Sequence, residues 1–209
     1  MKVIDLIDES LLESKFNKKT SIIVDIQPSY AKWCDKIITP NFFEFLKSQQ
    51  NILWFYNGEE VGSDDNPDNI FQWLVQDYDF DEEELDNIFN KIEFKEKSYG
   101  FLREYMDSEI PDWLTIKVLR LMKQHKVWNA SDLDLEEFLG DDYWEFINPD
   151  GKDYFPDIYL QGQYIKIAQL KQYGNGFICG GGKDECLREI QIIMNAFNIK
   201  YTILKEFVY

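Results

Sequence analysis

The segment Asn175–Tyr201, NGFICGGGKDECLREIQIIMNAFNIKY, leaves few folds open. Its apolar run Phe177-Ile178-Cys179 is broken by Gly180-Gly181-Gly182, and from Lys183 onward Leu187, Ile190, Ile193, Met194 and Phe197 return at helical spacing. Strand, glycine turn, helix and strand in that order predict one unit of a parallel sheet. The turn then brings backbone N–H groups and a helix N-terminus to the carboxyl edge of the sheet, where open α/β folds keep their ligands. Cys186 falls in the first turn of that helix.

The rest of the chain supplies further strands of this kind. Thr20–Ile26, TSIIVDI, reads as a buried strand with Asp25 at its carboxyl end, stopped by Pro28. Asn51–Tyr56 is a second buried strand and Ile92-Glu93-Phe94 a short third, with a last one at Tyr201–Leu204. Between them the pattern predicts helices from Pro40, capped by Thr39, from Asn66-Pro67 to Tyr78, from Asp81, from Pro111 to His125, and near Gln163–Gln172. Ser131 is expected to cap a short helix carrying Leu133, Leu135, Phe138 and Leu139. Residues 4–16 have the spacing of an amphipathic helix or arm, and 140–162 reads as a long loop or lid. Strands and helices alternate, so the fold class is α/β: a Rossmann-like three-layer sandwich with a mostly parallel sheet and right-handed crossovers. One domain spans 1–209, with 123–170 as an inserted helical and loop segment or lid.

Charge narrows the partners. A net charge of −17 over 209 residues disfavours contact with a phosphate backbone, which needs a clustered basic face. Between Lys47 and Lys91 there is no Lys or Arg, while twelve Asp and Glu occur from Glu59 to Asp86. The three cysteines, Cys34, Cys179 and Cys186, have no disulfide-framework spacing, which fits a reducing, cytoplasmic compartment. No apolar run reaches membrane-span length, and the acidic start MKVIDLIDESLLESKF does not read as a signal peptide.

Asp25, Lys95 and Cys186 all fall at or just beyond the carboxyl end of an expected strand. A thiol at a helix N-terminus near a lysine is expected to be partly thiolate, a carboxylate can take and return its proton, and the N–H groups of a glycine turn can hold an oxyanion. That is acyl-transfer machinery, acting on a small molecule without a cofactor or a metal. Gly180, Gly181, Gly182, Glu185 and Gln27 are the expected oxyanion and ligand-binding positions.

Val24-Asp25-Ile26-Gln27 resembles the first-strand V-D-x-Q motif of the isochorismatase-like cysteine hydrolases, the superfamily of nicotinamidases and carbamoyl-amide hydrolases. Lys95 with Phe101 is similar to that family's K-x-x-x-x-x-F segment, and Gly181 or Gly182 with Cys186-Leu187 and Ala196 resembles its G…C-(V/L)…A helix. The resemblance covers roughly residues 20–57, 92–122 and 175–205. It implies Asp25 as general acid and base, Lys95 as second catalytic member, Cys186 as nucleophile, and a doubly wound six-stranded sheet, often in a homo-oligomer. The metal-binding histidines of the nicotinamidase branch have no counterpart.

Two other function classes fit the sequence, the first at the same sheet edge. Asp25, Glu59 or Glu60, Asp64 or Asp65, and Asp184 or Glu185 follow expected strands as the carboxylates of a PIN-like or NYN-like nuclease do around Mg²⁺ or Mn²⁺. Alternatively, a catalytically inactive acidic protein would bind a basic protein partner through the Glu59–Asp86 surface, with Trp73 or Tyr78 as anchors.

Overall fold

The structure, a computed structural model, describes residues 19–58, 65–97, 101–102, 110–127, 129–148 and 167–209. The expected arm at 4–16 and most of the expected loop at 140–162 lie outside these residues. Among the described residues five strands form one all-parallel sheet in the order β3-β2-β1-β4-β5: β1 Thr20–Val24, β2 Asn51–Asn57, β3 Ile92–Lys97, β4 Phe177–Gly180 and β5 Thr202–Val208. The chain winds outward from β1 to β3, then returns to place β4 on the other side of β1. The order therefore reverses between β1 and β4, and the carboxyl end of that junction is where a doubly wound sheet opens a crevice.

The inner strands β1, β2 and β4 read as largely apolar runs because both faces are covered, whereas the edge strands β3 and β5 carry charged, partly exposed residues. On one face Ile22, Val24, Leu53, Phe55 and Ile178 join α5 (Asp112–His125), α6 (Leu135–Leu139) and α8 (Cys186–Ala196) in one core. On the other, Ile23, Ile52, Trp54, Phe177 and Phe207 meet α1 (Ala31–Cys34), α2 (Pro40–Ser48), α3 (Pro67–Tyr78) and α4 (Glu82–Phe89). This second core is built on rings: Phe42 and Phe45 stand 5.3 and 5.4 Å from Phe207. The short α7 (Ile167–Gln172) precedes β4.

Helix starts follow the capping residues. Asn66 accepts from Asn69 N–H at 2.9 Å, Asp81 from Glu84 N–H at 2.9 Å, and Thr39 from Phe42 N–H at 3.4 Å. Ser131 is not a cap. Residues Ala130–Asp132 form a 3-10 turn, and it is Asp134, accepting from Glu137 N–H at 3.0 Å, that starts α6. The described part of 123–170 packs into the shared core through Leu133, Leu135, Leu139 and Tyr143, and Tyr143–Ile147 form a π-helical turn. No helix among the described residues is long and apolar enough to cross a membrane.

Candidate active site

Asp25 is the residue after β1, and its backbone is left-handed, with φ 53°. That region costs an L-residue roughly 1–2 kcal/mol, least for Asp and Asn, and here it is held from two sides. Asp25 N–H donates to Phe55 O at 2.9 Å, and Tyr209 Oη donates to Asp25 O at 2.7 Å. Strand alternation would turn Asp25 away from the face of Val24; the left-handed residue returns its carboxylate to that face.

There it meets Lys97. The ammonium lies 3.1 Å from Asp25 Oδ2 and 3.5 Å from Cys186 Sγ, with the Lys97 side chain wholly buried and that of Asp25 only 4% exposed. The lysine that meets Asp25 and Cys186 is therefore Lys97, not Lys95 as expected. Register explains the shift: β2 runs on to Asn57, which pairs with Lys97, so β3 is three residues longer than its apolar run suggests. Lys95 pairs with Phe55 and is level with Val24, inside the body of the sheet, where its ammonium meets Glu93 at 3.3 Å and is 40% exposed. Lys95 and Lys97 share a strand face, but only Lys97 reaches the rim.

Cys186 opens α8 and is half-buried, so the positive end of that helix dipole adjoins its sulfur. Its thiol also hydrogen-bonds the Asp25 carboxyl. Burial is the main influence on the thiol and raises its pKa well above the ordinary range; the Asp25 charge adds to this and Lys97 opposes it. The resting group is a thiol, not the partial thiolate expected from a helix N-terminus beside a lysine. Burial lowers the Lys97 pKa, but attraction to Asp25 and Cys186 outweighs it, so the net shift is upward and the ammonium stays charged. Cys34 and Cys179 are fully buried.

The glycine turn packs rather than presents most of its groups. Gly180, with φ 112°, brings its Cα against the carbonyl of Val24, and a Cβ there would overlap that oxygen. Gly181 N–H donates to Val24 O at 2.7 Å, and a Cβ on Gly181 would overlap the Tyr209 hydroxyl. Lys183 N–H donates to Tyr209 O at 2.9 Å and Glu185 N–H to Gly182 O at 2.7 Å. Gly181 and Glu185 thus have no N–H to spare for an oxyanion, while Gly182 N–H makes no hydrogen bond among the described residues.

Gln27, expected to touch the ligand, is instead a buried clamp. Its Oε1 accepts from Asn57 N–H at 2.8 Å, and its Nε2 donates to Asn57 O at 3.0 Å and to Asp65 Oδ2 at 2.6 Å, tying the ends of β1 and β2 to the start of α3. Asp65 also accepts a short hydrogen bond from Ser29 Oγ. This bears on the nuclease layout, because Asp25 faces an ammonium and Asp65 is engaged by Gln27 and Ser29. Asp184 and Glu185 are exposed, and Glu59, Glu60 and Asp64 lie outside the described residues. No group of three or more His, Cys, Asp or Glu suited to a metal ion occurs among the described residues. Of the expected protein-docking anchors, Trp73 is a core residue at 7% exposure, and Tyr78 donates its hydroxyl to Asp35 at 2.7 Å. His125 ends α5 and packs on Phe138, 4.7 Å between rings.

Sequence reading missed two neighbours of the site. Tyr209 braces both Asp25 and the glycine turn, and Glu189 lies fully buried one turn after Cys186 on α8. Glu189 carried a signal, since it follows Cys186 by three residues and precedes Ile193 by four, which puts a carboxyl on the apolar side of its helix. A cavity of about 490 Å³ opens beside α8, lined by Lys183, Arg188, Gln191 and Lys205 among others, but includes none of Asp25, Lys97 and Cys186. Comparison of the chain with protein-family models, with curated proteins and with solved structures finds no match.

Proposed function

We propose that the chain is a cysteine hydrolase of the isochorismatase-like kind, acting on a small amide-like molecule with Cys186 as nucleophile, Asp25 as base and Lys97 as charge stabiliser. The observation that supports this most is the convergence of the three groups. A buried ammonium lies 3.1 Å from a carboxylate and 3.5 Å from a sulfur, at the reversal point of the sheet.

The chemistry follows from the resting protonation. As Sγ attacks the substrate carbonyl, its proton passes to Asp25, and the ammonium of Lys97 offsets the negative charge that moves between carboxylate and sulfur. The tetrahedral oxyanion forms beside the α8 N-terminus, whose dipole favours it. Collapse breaks the C–N bond, the departing amine takes the proton from Asp25, and a thioester to Cys186 remains. Water then attacks the thioester with Asp25 accepting its proton, releasing the carboxylic acid and restoring the thiol. Neither step needs a cofactor or a metal.

The test uses p-nitrophenyl acetate as a general acyl donor. A burst of nitrophenol with an acetyl adduct on the Cys186 peptide is expected, abolished in Cys186→Ser and reduced at least roughly tenfold in Asp25→Asn. A protein that forms no adduct on Cys186, or forms it equally well without the Asp25 carboxylate, is not this enzyme. Ammonia release from a set of small primary amides then identifies the substrate class.

A further inference from the structure

The chemistry above leaves out a fourth ionisable group in its midst. Glu189 has no exposed surface; its Oε2 accepts from Phe101 N–H at 2.5 Å and its Oε1 has no hydrogen bond among the described residues. Phe101, held this way, meets Phe55 edge to face at 4.8 Å and lies under the Lys97 ammonium, 5.4 Å from its ring centre. Glu189 thus fastens the segment after β3 to α8 and sets the wall on which the ammonium rests.

Its charge reaches the same groups. From β3 it faces Lys97, from β1 Asp25, and on its own helix Cys186. The charges of α5, packed on α8, are turned elsewhere: Asp112 to Arg188 at 2.6 Å, and Arg120 to the carbonyls of Asn195 and Ala196. With Glu189 ionised, two carboxylates surround one ammonium; with it protonated, Asp25 and Lys97 balance.

We propose that Glu189 is a positioning residue of the Asp25–Lys97–Cys186 site that acts through its charge. Ionised, it draws on the Lys97 ammonium and opposes negative charge on Sγ. Protonated, it leaves Lys97 to Asp25 and the sulfur. Burial raises the Glu189 pKa, while the Phe101 N–H and Lys97 pull it down less strongly, leaving it at about 7, so the exchange falls in the neutral range. The inference rests on the hydrolase reading for its catalytic consequence alone, because the coupling is a property of the thiol itself.

Glu189→Gln keeps the shape and an oxygen for Phe101 N–H but cannot ionise. The probe is iodoacetamide with the full chain, read as the rate of modification of the Cys186 peptide. The ratio of variant to wild-type rate is expected near one below about pH 6 and to rise to roughly tenfold above about pH 8, one pKa unit of coupling. A ratio that stays constant across the range is what a purely structural role gives, and it overturns the proposal. Carboxyl ¹³C NMR of the wild-type protein labelled in glutamate needs no variant: one glutamate should titrate in the neutral range, and none doing so also overturns it. A pH-dependent ratio in a protein that never acylates would sink the hydrolase and leave this coupling standing.

Discussion

Lys97→Met tests the site most directly, because it removes the ammonium and keeps most of the stem. Lys97 is fully buried and Asp25 4% exposed across their 3.1 Å contact, so the substitution strands a carboxylate away from water. Removing one partner of a buried pair costs about 3–5 kcal/mol. At roughly 2–4 °C per kcal/mol for a chain of this size, the melting temperature falls by roughly 6–20 °C. The loss carries a pH signature. In the variant, burial favours the neutral form of Asp25, so its folded-state pKa lies above the unfolded value. The folded state then holds the proton more tightly, and the penalty is small below the unfolded carboxyl range, about pH 4, and grows as pH rises through the folded value. Urea unfolding at about pH 5 and about pH 7.5 should show this difference. Adding Asp25→Asn to Lys97→Met should recover most of the loss at about pH 5, where Glu189 is protonated and no charge is left stranded. Lys95→Met, on a side chain 40% exposed beside Glu93, should stay within about 0.5 kcal/mol of wild type. Equal losses at both pH values without recovery in the double variant, or a larger loss from Lys95→Met, would refute the assignment of Lys97.

Tyr209→Phe should lose the 2.7 Å hydrogen bond to Asp25 O, costing about 1 kcal/mol by urea unfolding and slowing acylation of Cys186 by p-nitrophenyl acetate. Gly181→Ala would drive a Cβ into the Tyr209 hydroxyl and should destabilise by about 1–3 kcal/mol, with a matching fall in the urea midpoint. Asn66→Ala removes the cap of α3 and should cost about 1 kcal/mol while leaving iodoacetamide modification of Cys186 unchanged; altered labelling would mean that α3 also shapes the site.

What the amino-acid order reveals and what it hides divide on physical grounds. Asp25 was legible because a carboxylate closing a β-branched run sits at a strand end, and Cys186 because the glycine break and the helical spacing after it place it at the start of a helix, although that helix begins at Cys186 and not at Lys183 as expected. Lys97 was not, because the end of an edge strand is set by its neighbour: β3 continues through Glu96 and Lys97 only because β2 supplies Tyr56 and Asn57 as pairing partners. Gln27 was placed at the right edge with the wrong partner, since nothing local says that its amide will be taken up by Asn57 and Asp65, 30 and 38 residues away. The thiol's protonation is not legible either, because the helix dipole and the lysine that favour thiolate are local features, whereas the burial that favours the thiol depends on the whole packed molecule.

The parallel sheet also sets an order of assembly. Asp25, just after β1, and Lys97, at the end of β3, are synthesised before Cys186 and the Tyr209 hydroxyl that steadies Asp25, the last contact spanning 184 residues. Until that late segment docks, β1 has an open flank and its buried lysine and aspartate have no lid of helix α8 above them. A chain in which β4 and α8 have not yet docked thus leaves one flank of β1 and its apolar side chains uncovered, the kind of transient surface that favours aggregation before folding is complete.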